Sequence, residues 1–185
     1  NSFGSTAIAG YSAGMRIESL SIVPMLAMGN AMSTFTAQNM GAGKIDRVKE
    51  GYRMCYVIVL TAGAVLCVMY QLAGGAFVSL FLDSGSSEAY SVGLSYVKFL
   101  SFFYSFIGLK ASTDGLLRGA GDVTAFTVAN LVNLAIRVSV TNLFAPIYGI
   151  QVAWMAVPLG WAANYVISFG WYLTGKWKKV RVIKK

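Results

Sequence analysis

The sequence predicts an all-α, polytopic transmembrane helix bundle, and three observations carry that prediction. Hydrophobic residues fill 56% of the 185 positions and charged residues only 12%, where soluble domains carry about 25% charged residues. The charges are bunched, so that residues 19–43, 54–82 and 138–175 contain none. Each window exceeds the roughly 20 residues that a helix needs to cross the hydrocarbon core, and the last has room for more than one crossing.

The breaks between apolar runs, "GAGKID", "DSGSS", "RGAGD" and "APIYG", are rich in glycine, serine or proline, the residues that punctuate helices. They divide the chain into five crossings and a basic tail. The first helix is expected over 14–40, with the residues before Gly14 forming the tail of an earlier crossing. The second is expected over 48–81, with Asp46 as its N-cap. Cys55 and Cys67 fall in it, off metal-ligand spacing, and read as small buried hydrophobes. The third, over 88–117, carries Lys98, which snorkels to an interface, and the pair Lys110 and Asp114. The fourth covers 123–144. The fifth covers 150–174 and leads to the tail 175–185. Pro24 and Pro158 lie inside helices and are expected to kink them. Trp154, Trp161, Trp171, Tyr172 and Trp177 suit interfacial belts, with a cation–π contact to an organic cation as the alternative for Trp154 or Trp161.

Alternating the five helices puts Lys44, Arg47, Lys49, Arg53, Arg118, Lys176, Lys178, Lys179, Arg181, Lys184 and Lys185 on one side, eleven of the fifteen basic residues. Cytoplasmic loops collect such residues, so the C-terminus is expected in the cytoplasm. Arg16, Glu18, Lys98 and the acidic loop from Asp83 to Glu88 fall toward the other face, where Glu18 reads as interfacial. The net charge of +8 then serves orientation and anionic lipid, which leaves nucleic acid without a role as partner.

The stretch "TAQNMGAGK" resembles a phosphate-binding loop only superficially. Gln38 stands where the first glycine belongs, and Ile45 where a Ser or Thr should follow the lysine. The glycines instead form helix-ending turns. Gly41 and Gly43 close the first helix, Lys44 follows at the carbonyl end of its dipole, and Gly119 and Gly121 in "RGAGD" repeat the device. No histidine occurs, which removes the usual zinc and acid–base chemistry. No metal site is expected, and an intramembrane enzyme would need clustered catalytic groups where this chain has scattered acids. The opening "NSFGST" has no Met or basic n-region and reads as the edge of a piece of a longer protein.

Polar residues inside apolar helices mark the candidate site. Thr127, Asn130, Asn133, Arg137 and Thr141 follow spacings of three, three, four and four, one face of a helix. A charge at mid-helix costs about 2.5–3.5 kcal/mol on insertion scales, so Arg137 must face a wet cavity or a partner. The stripe either lines a pathway or hydrogen-bonds helix to helix through its asparagines. Lys110 and Asp114, one turn apart, form either a self-neutralised ion pair or a cation-binding group.

The motifs "TAQNMGAGKIDRVKEGY", "GLLRGAGD" and "YGIQVAWMAVPLGW", in this order, resemble the multidrug and toxic compound extrusion (MATE) family. The resemblance implies a transporter of two related six-helix lobes. This chain would form most of the second lobe, helices eight to twelve, with "FGSTAIAGY" as the end of the seventh. It implies a secondary antiporter that expels organic cations and other xenobiotics across the cell membrane through a cavity between the lobes. No cofactor is implied beyond the coupling ion, sodium or a proton. The implied partners are the organic cation substrate, the lipid bilayer and the missing N-terminal lobe of the same chain. Some family members use an acid on the third helix nearer mid-membrane than Asp114, and some carry an acid where this chain has Asn133. A flippase for lipid-linked oligosaccharides or polysaccharides shares the two-lobe design and is the alternative, and a structural membrane subunit is a second one.

Overall fold

A computed structural model describes residues 5–82, 87–149 and 151–179. Among them are six α-helices, α1 (Ser5–Gly41), α2 (Ile45–Val78), α3 (Ser87–Ser101), α4 (Tyr104–Gly119), α5 (Val123–Tyr148) and α6 (Gln151–Leu173), and a closing 3-10 turn, Lys176–Lys179. No strand occurs among the described residues. Helices α1, α2, α5 and α6 are each long and apolar enough to cross a membrane, and α3 with α4 makes a fifth, bent span. Residues 83–86 of the expected acidic loop, and Arg181, Lys184 and Lys185, lie outside the described residues.

Three expected helix bounds change. The chain from Ser5 to Tyr11 is not the tail of another crossing, because it continues without a break into α1, whose 37 residues span about 55 Å at about 1.5 Å each. The expected helix over 88–117 is two helices meeting at 52°. No proline or glycine marks that break; its partners come from α2. Gln71 Nε2 donates to Lys98 O and to Ser101 Oγ, both at 2.9 Å, and Ser101 Oγ donates to Lys98 O at 2.7 Å. Side-chain groups thus enter the helical ladder, a recognised cause of kinks. Third, α5 runs past Phe144 through Pro146 and is closed by Gly149, whose φ is +88°.

The two glycine turns are built alike. Lys44 N donates to Asn39 O and Gly43 N to Met40 O; Asp122 N donates to Leu117 O and Gly121 N to Arg118 O. This is the Schellman pattern, with Gly43 (φ +71°) and Gly121 (φ +83°) in the left-handed position. Gly41 and Gly119 play another part. Each is the last helical residue, and a Cβ on Gly119 would run into Ser33 and Thr36 of α1. Asp46 does not cap α2, which starts at Ile45 with Lys44 at the cap position, and pairs instead with Lys49 at 2.7 Å. Asp122 caps α5 by accepting from Ala125 N.

Helix α1 lies against α2, α3 and α4, while α6 lies against α4 and α5. The core joins Ile17 and Met25 of α1, Val59 of α2, Leu100 of α3, Leu116 of α4 and Trp161 of α6. The seam of α1 and α4 is made by small residues, Gly29 facing Ala111 and Gly115, which lets the two backbones close up as membrane helices do. Leu20, Val23, Val57, Val65, Val68 and Leu72 point outward as an exposed apolar surface.

Trp154, Trp161 and Trp177 are buried, not in an interfacial belt. Trp177 folds back onto Tyr172, ring centroids 5.6 Å apart, and donates to the Tyr172 carbonyl at 3.0 Å. Trp171 Nε1 donates to Asp122 Oδ2 at 2.6 Å, and the Tyr172 ring lies 4.6 Å from Tyr52. These contacts gather the ends of α4 and α6, the starts of α2 and α5 and the closing turn at one end of the bundle, here called the basic end.

Candidate functional site

Near the basic end, one buried network joins three helices. Lys110 Nζ and Asp114 Oδ2, on successive turns of α4, pair at 2.8 Å with side chains 12% and 5% exposed. Lys110 also donates to Asn130 Oδ1 of α5 at 3.1 Å, and Asn130 Nδ2 reaches Asp114 Oδ2 at 3.3 Å. The second Asp114 oxygen accepts from Ser168 Oγ of α6 at 2.6 Å, and Ser168 lies 3.4 Å from Asn164 Oδ1. A carboxylate satisfied on both oxygens, with its cation alongside, offsets the cost of burying the pair. Asn164 Nδ2 and Asn133 Oδ1 are buried with no hydrogen-bond partner among the described residues.

Beside the network a cavity of about 320 Å³ opens between α1, α4 and α5. Its charged lining is Lys110, Asp114 and Arg118, with Asn30 and Asn130 as polar walls. Arg118 Nη2 donates to Asn30 Oδ1 at 2.8 Å, and its guanidinium carbon stands 5.7 Å from the Phe126 ring centroid. A second hydroxyl cluster, Tyr52, Tyr56 and Thr113, links α2 to α4, with Thr113 2.7 Å from Tyr52 Oη and 2.9 Å from Tyr56 Oη.

The α5 stripe divides into parts. Asn130 belongs to the Asp114 network. Asn133 is half-buried against α6, where a Cβ on Gly160 would meet Asn133 Oδ1 and the Arg137 stem. Thr127 and Arg137 are exposed on the lobe's own surface, and Thr141 is half-buried. The adjoining face of α5 shows Val128, Leu131, Leu134 and Val138, so polar and lipid-type surfaces sit side by side on one helix.

Sequence reading missed a second buried acid. Glu18 is 9% exposed and accepts a hydrogen bond from Tyr96 Oη of α3, so it is not an interfacial residue. Its position next to Arg16, near a polar break, gave no signal of burial; the signal lies in Gly10 and Gly14, which bring α3 onto that face of α1.

Apolar helices that face outward and enclose charged and hydroxyl groups define a polytopic α-helical membrane protein with a polar interior. The chain belongs to the MatE family, whose model matches residues 1–156. It is 28% identical over 183 residues to a probable multidrug resistance protein, YpnP, of Bacillus subtilis (strain 168), covering 98% of this chain and 41% of that protein. It is 22% identical over 191 residues to the probable multidrug resistance protein NorM of Thermotoga maritima, covering 98% and 39%. A solved structure, the inward-facing conformation of a multidrug resistance MATE family transporter, superposes with a TM-score of 0.82 at 18% identity over 91% of this chain and 38% of that one. The chain thus spans about two fifths of the length of the proteins it matches. A shorter likeness, 29% over 76 residues, covers 41% of this chain and 17% of a FAD transporter of Shewanella oneidensis.

Proposed function

We propose that this chain is most of the second lobe of a secondary active efflux antiporter, which expels organic cations and other xenobiotics in exchange for sodium ions or protons. The observation that carries the reading is the exposed Arg137 on α5. A membrane helix cannot turn that charge to lipid without a cost of about 2.5–3.5 kcal/mol or more, so this surface faces water or the other lobe. Thr127 is exposed with Arg137, Asn133 and Thr141 are half-buried beside them, and Asn130 turns inward to Lys110 and Asp114. We assign the stripe to the wall of a translocation pathway. Alternating access would move this wall against the missing lobe. The basic end would face the cytoplasm.

A second reading concerns the cargo. The cavity between α1, α4 and α5 carries two cations to one acid, which suits an anionic ligand, and one partial relative is named as a FAD transporter. The lipid-linked glycan flippase is the other member of this anionic class.

The test is transport by the full-length parent protein in cells stripped of other efflux pumps. Ethidium and other organic cations, together with an anionic dinucleotide, are loaded, and their export is followed with and without sodium and proton gradients. Gradient-dependent export of the cations is expected. Export of the anionic probe alone favours the second reading, and absence of gradient-dependent export over the whole panel overturns both.

A further inference from the structure

Among the described residues, three acids are buried: Glu18, Asp114 and Asp122. Asp114 has Lys110 and Ser168, and Asp122 caps α5 and holds Trp171. Among the described residues Glu18 has neither a cation within ion-pair distance nor a backbone donor; its partner is the Tyr96 hydroxyl. It sits well away from the basic end, 23 residues before Gly41 on α1.

Its surroundings are hydroxyl- and indole-rich. Tyr11 of α1 packs edge-on against Tyr96, ring centroids 5.2 Å apart, and Trp154 of α6 packs edge-on against Tyr96 at 5.5 Å. Tyr104 of α4 joins the same cluster through Tyr70, ring centroids 5.9 Å apart, and Trp154 Nε1 is buried with no hydrogen-bond partner among the described residues. On α2, Tyr70 shares a 2.6 Å hydrogen bond with Ser21, one turn along α1 from Glu18. The cation that α5 brings to this side of α6 is Arg137, whose stem lies against Gly160 and which makes no ion pair with Glu18. Trp154 also lines a cavity of about 290 Å³, whose other walls are Ser95, Phe99, Gln151 and Met155.

An uncompensated buried carboxylate is expensive, and such groups neutralise by taking a proton. An unpaired buried donor is costly, yet the Trp154 indole N–H stands in this cluster without a partner among the described residues. We propose that Glu18 is a proton-binding carboxyl, loaded through the Ser95–Gln151–Trp154 cavity at the end opposite the basic turns and discharged when Arg137 approaches. One proton from that aqueous face adds to a carboxylate oxygen, and the same proton leaves to water when the arginine charge favours the anion. No other bond changes. The Arg137 stem rests against Gly160 of α6, so a shift of the α5–α6 pair against α1 and α3 alters the Arg137–Glu18 separation. The site thereby ties protonation to the movement of the pathway wall. Its coupling role rests on the transport reading; its protonation does not.

The test separates the two. In the substrate-free, full-length parent protein, infrared difference spectra between acid and neutral buffer report protonated carboxyl groups. Glu18→Gln is expected to remove one pH-dependent carboxyl band, and Tyr96→Phe, which keeps the acid, to move the midpoint of that band. In proteoliposomes the wild-type transport rate is expected to follow the protonated fraction of one group, about tenfold per pH unit beyond its midpoint, and the Gln variant to lose that dependence. An unchanged band in both variants, or sodium-driven transport by Glu18→Gln with the wild-type pH profile, overturns the proposal. Should Glu18→Gln not fold, an unmoved midpoint in Tyr96→Phe does the same. Loss of the band in a protein that exports nothing supports Glu18 and defeats the transport reading.

Discussion

Lys110 and Asp114 show how a charge pair survives in apolar surroundings. Each fills the other's strongest need, while Asn130 and Ser168 take the remaining donor and acceptor positions. Removing one partner leaves a buried charge, a loss of about 3–5 kcal/mol, whereas exchanging both for apolar residues of similar volume is about neutral. Asp114→Leu alone is therefore expected to lower the thermal midpoint of the purified parent protein sharply, and Lys110→Met with Asp114→Leu to recover most of it. A double variant as unstable as the single one would show that Asn130 and Ser168, left without partners, carry the cost. The pair itself was legible, because four residues on a helix is one turn. Its partners were not: Ser168 is 54 residues away, and nothing local in "ISFGW" separates an acid's ligand from a helix-stabilising serine.

At the scale of the helix, periodicity and turn chemistry worked wherever the cause was local. The paired glycine turns were readable because a left-handed residue after a helix nearly demands glycine. The bend between α3 and α4 was unreadable, since "KFLSFFYS" holds no proline or glycine and the group that enters it, Gln71, comes from α2. The α5 stripe was visible from spacing alone; that Thr127 and Arg137 are exposed while Asn130 turns inward depends on where α6 and α4 sit. Glycines at helix seams carry a further consequence. A Cβ on Gly115 would stand 3.2 Å from Gly29 Cα and closer still to its carbonyl, so α1 and α4 must separate to admit one. Overpacked cores typically lose about 1–3 kcal/mol, and here backbone meets backbone, with no side chain to yield. Gly115→Leu is expected to lower the midpoint in a thermal-shift measurement well below that of Gly41→Leu, where nothing lies within 4 Å. Equal losses in the two variants would mean that the seam tolerates separation.

For the whole molecule, two charge distributions must be accommodated by one bilayer. Lys44, Arg47, Lys49, Arg53, Arg118, Lys176, Lys178 and Lys179 share the basic end, where the glycine turns and the folded-back Trp177 hold them. Arg16 and Glu18 lie toward the other end, and Arg137 opens sideways from α5, the helix with the fewest buried residues among the long spans. Turning such a side to lipid is costly. The proteins it matches are more than twice its length, which leaves room for a second body against α5. The basic end is expected in the cytoplasm: anionic lipid on that face attracts each basic residue near it by about 1 kcal/mol, and eight such residues at one end outweigh what the opposite end presents. Lys44→Cys at the basic end and Tyr148→Cys, exposed at the end of α5, read this directly in a parent protein stripped of other cysteines. In intact cells a membrane-impermeant maleimide is expected to label Tyr148→Cys and to spare Lys44→Cys until the cells are opened. The reverse pattern would turn the lobe over, placing the Ser95–Gln151 cavity inside the cell and requiring any proton bound at Glu18 to enter from the cytoplasm.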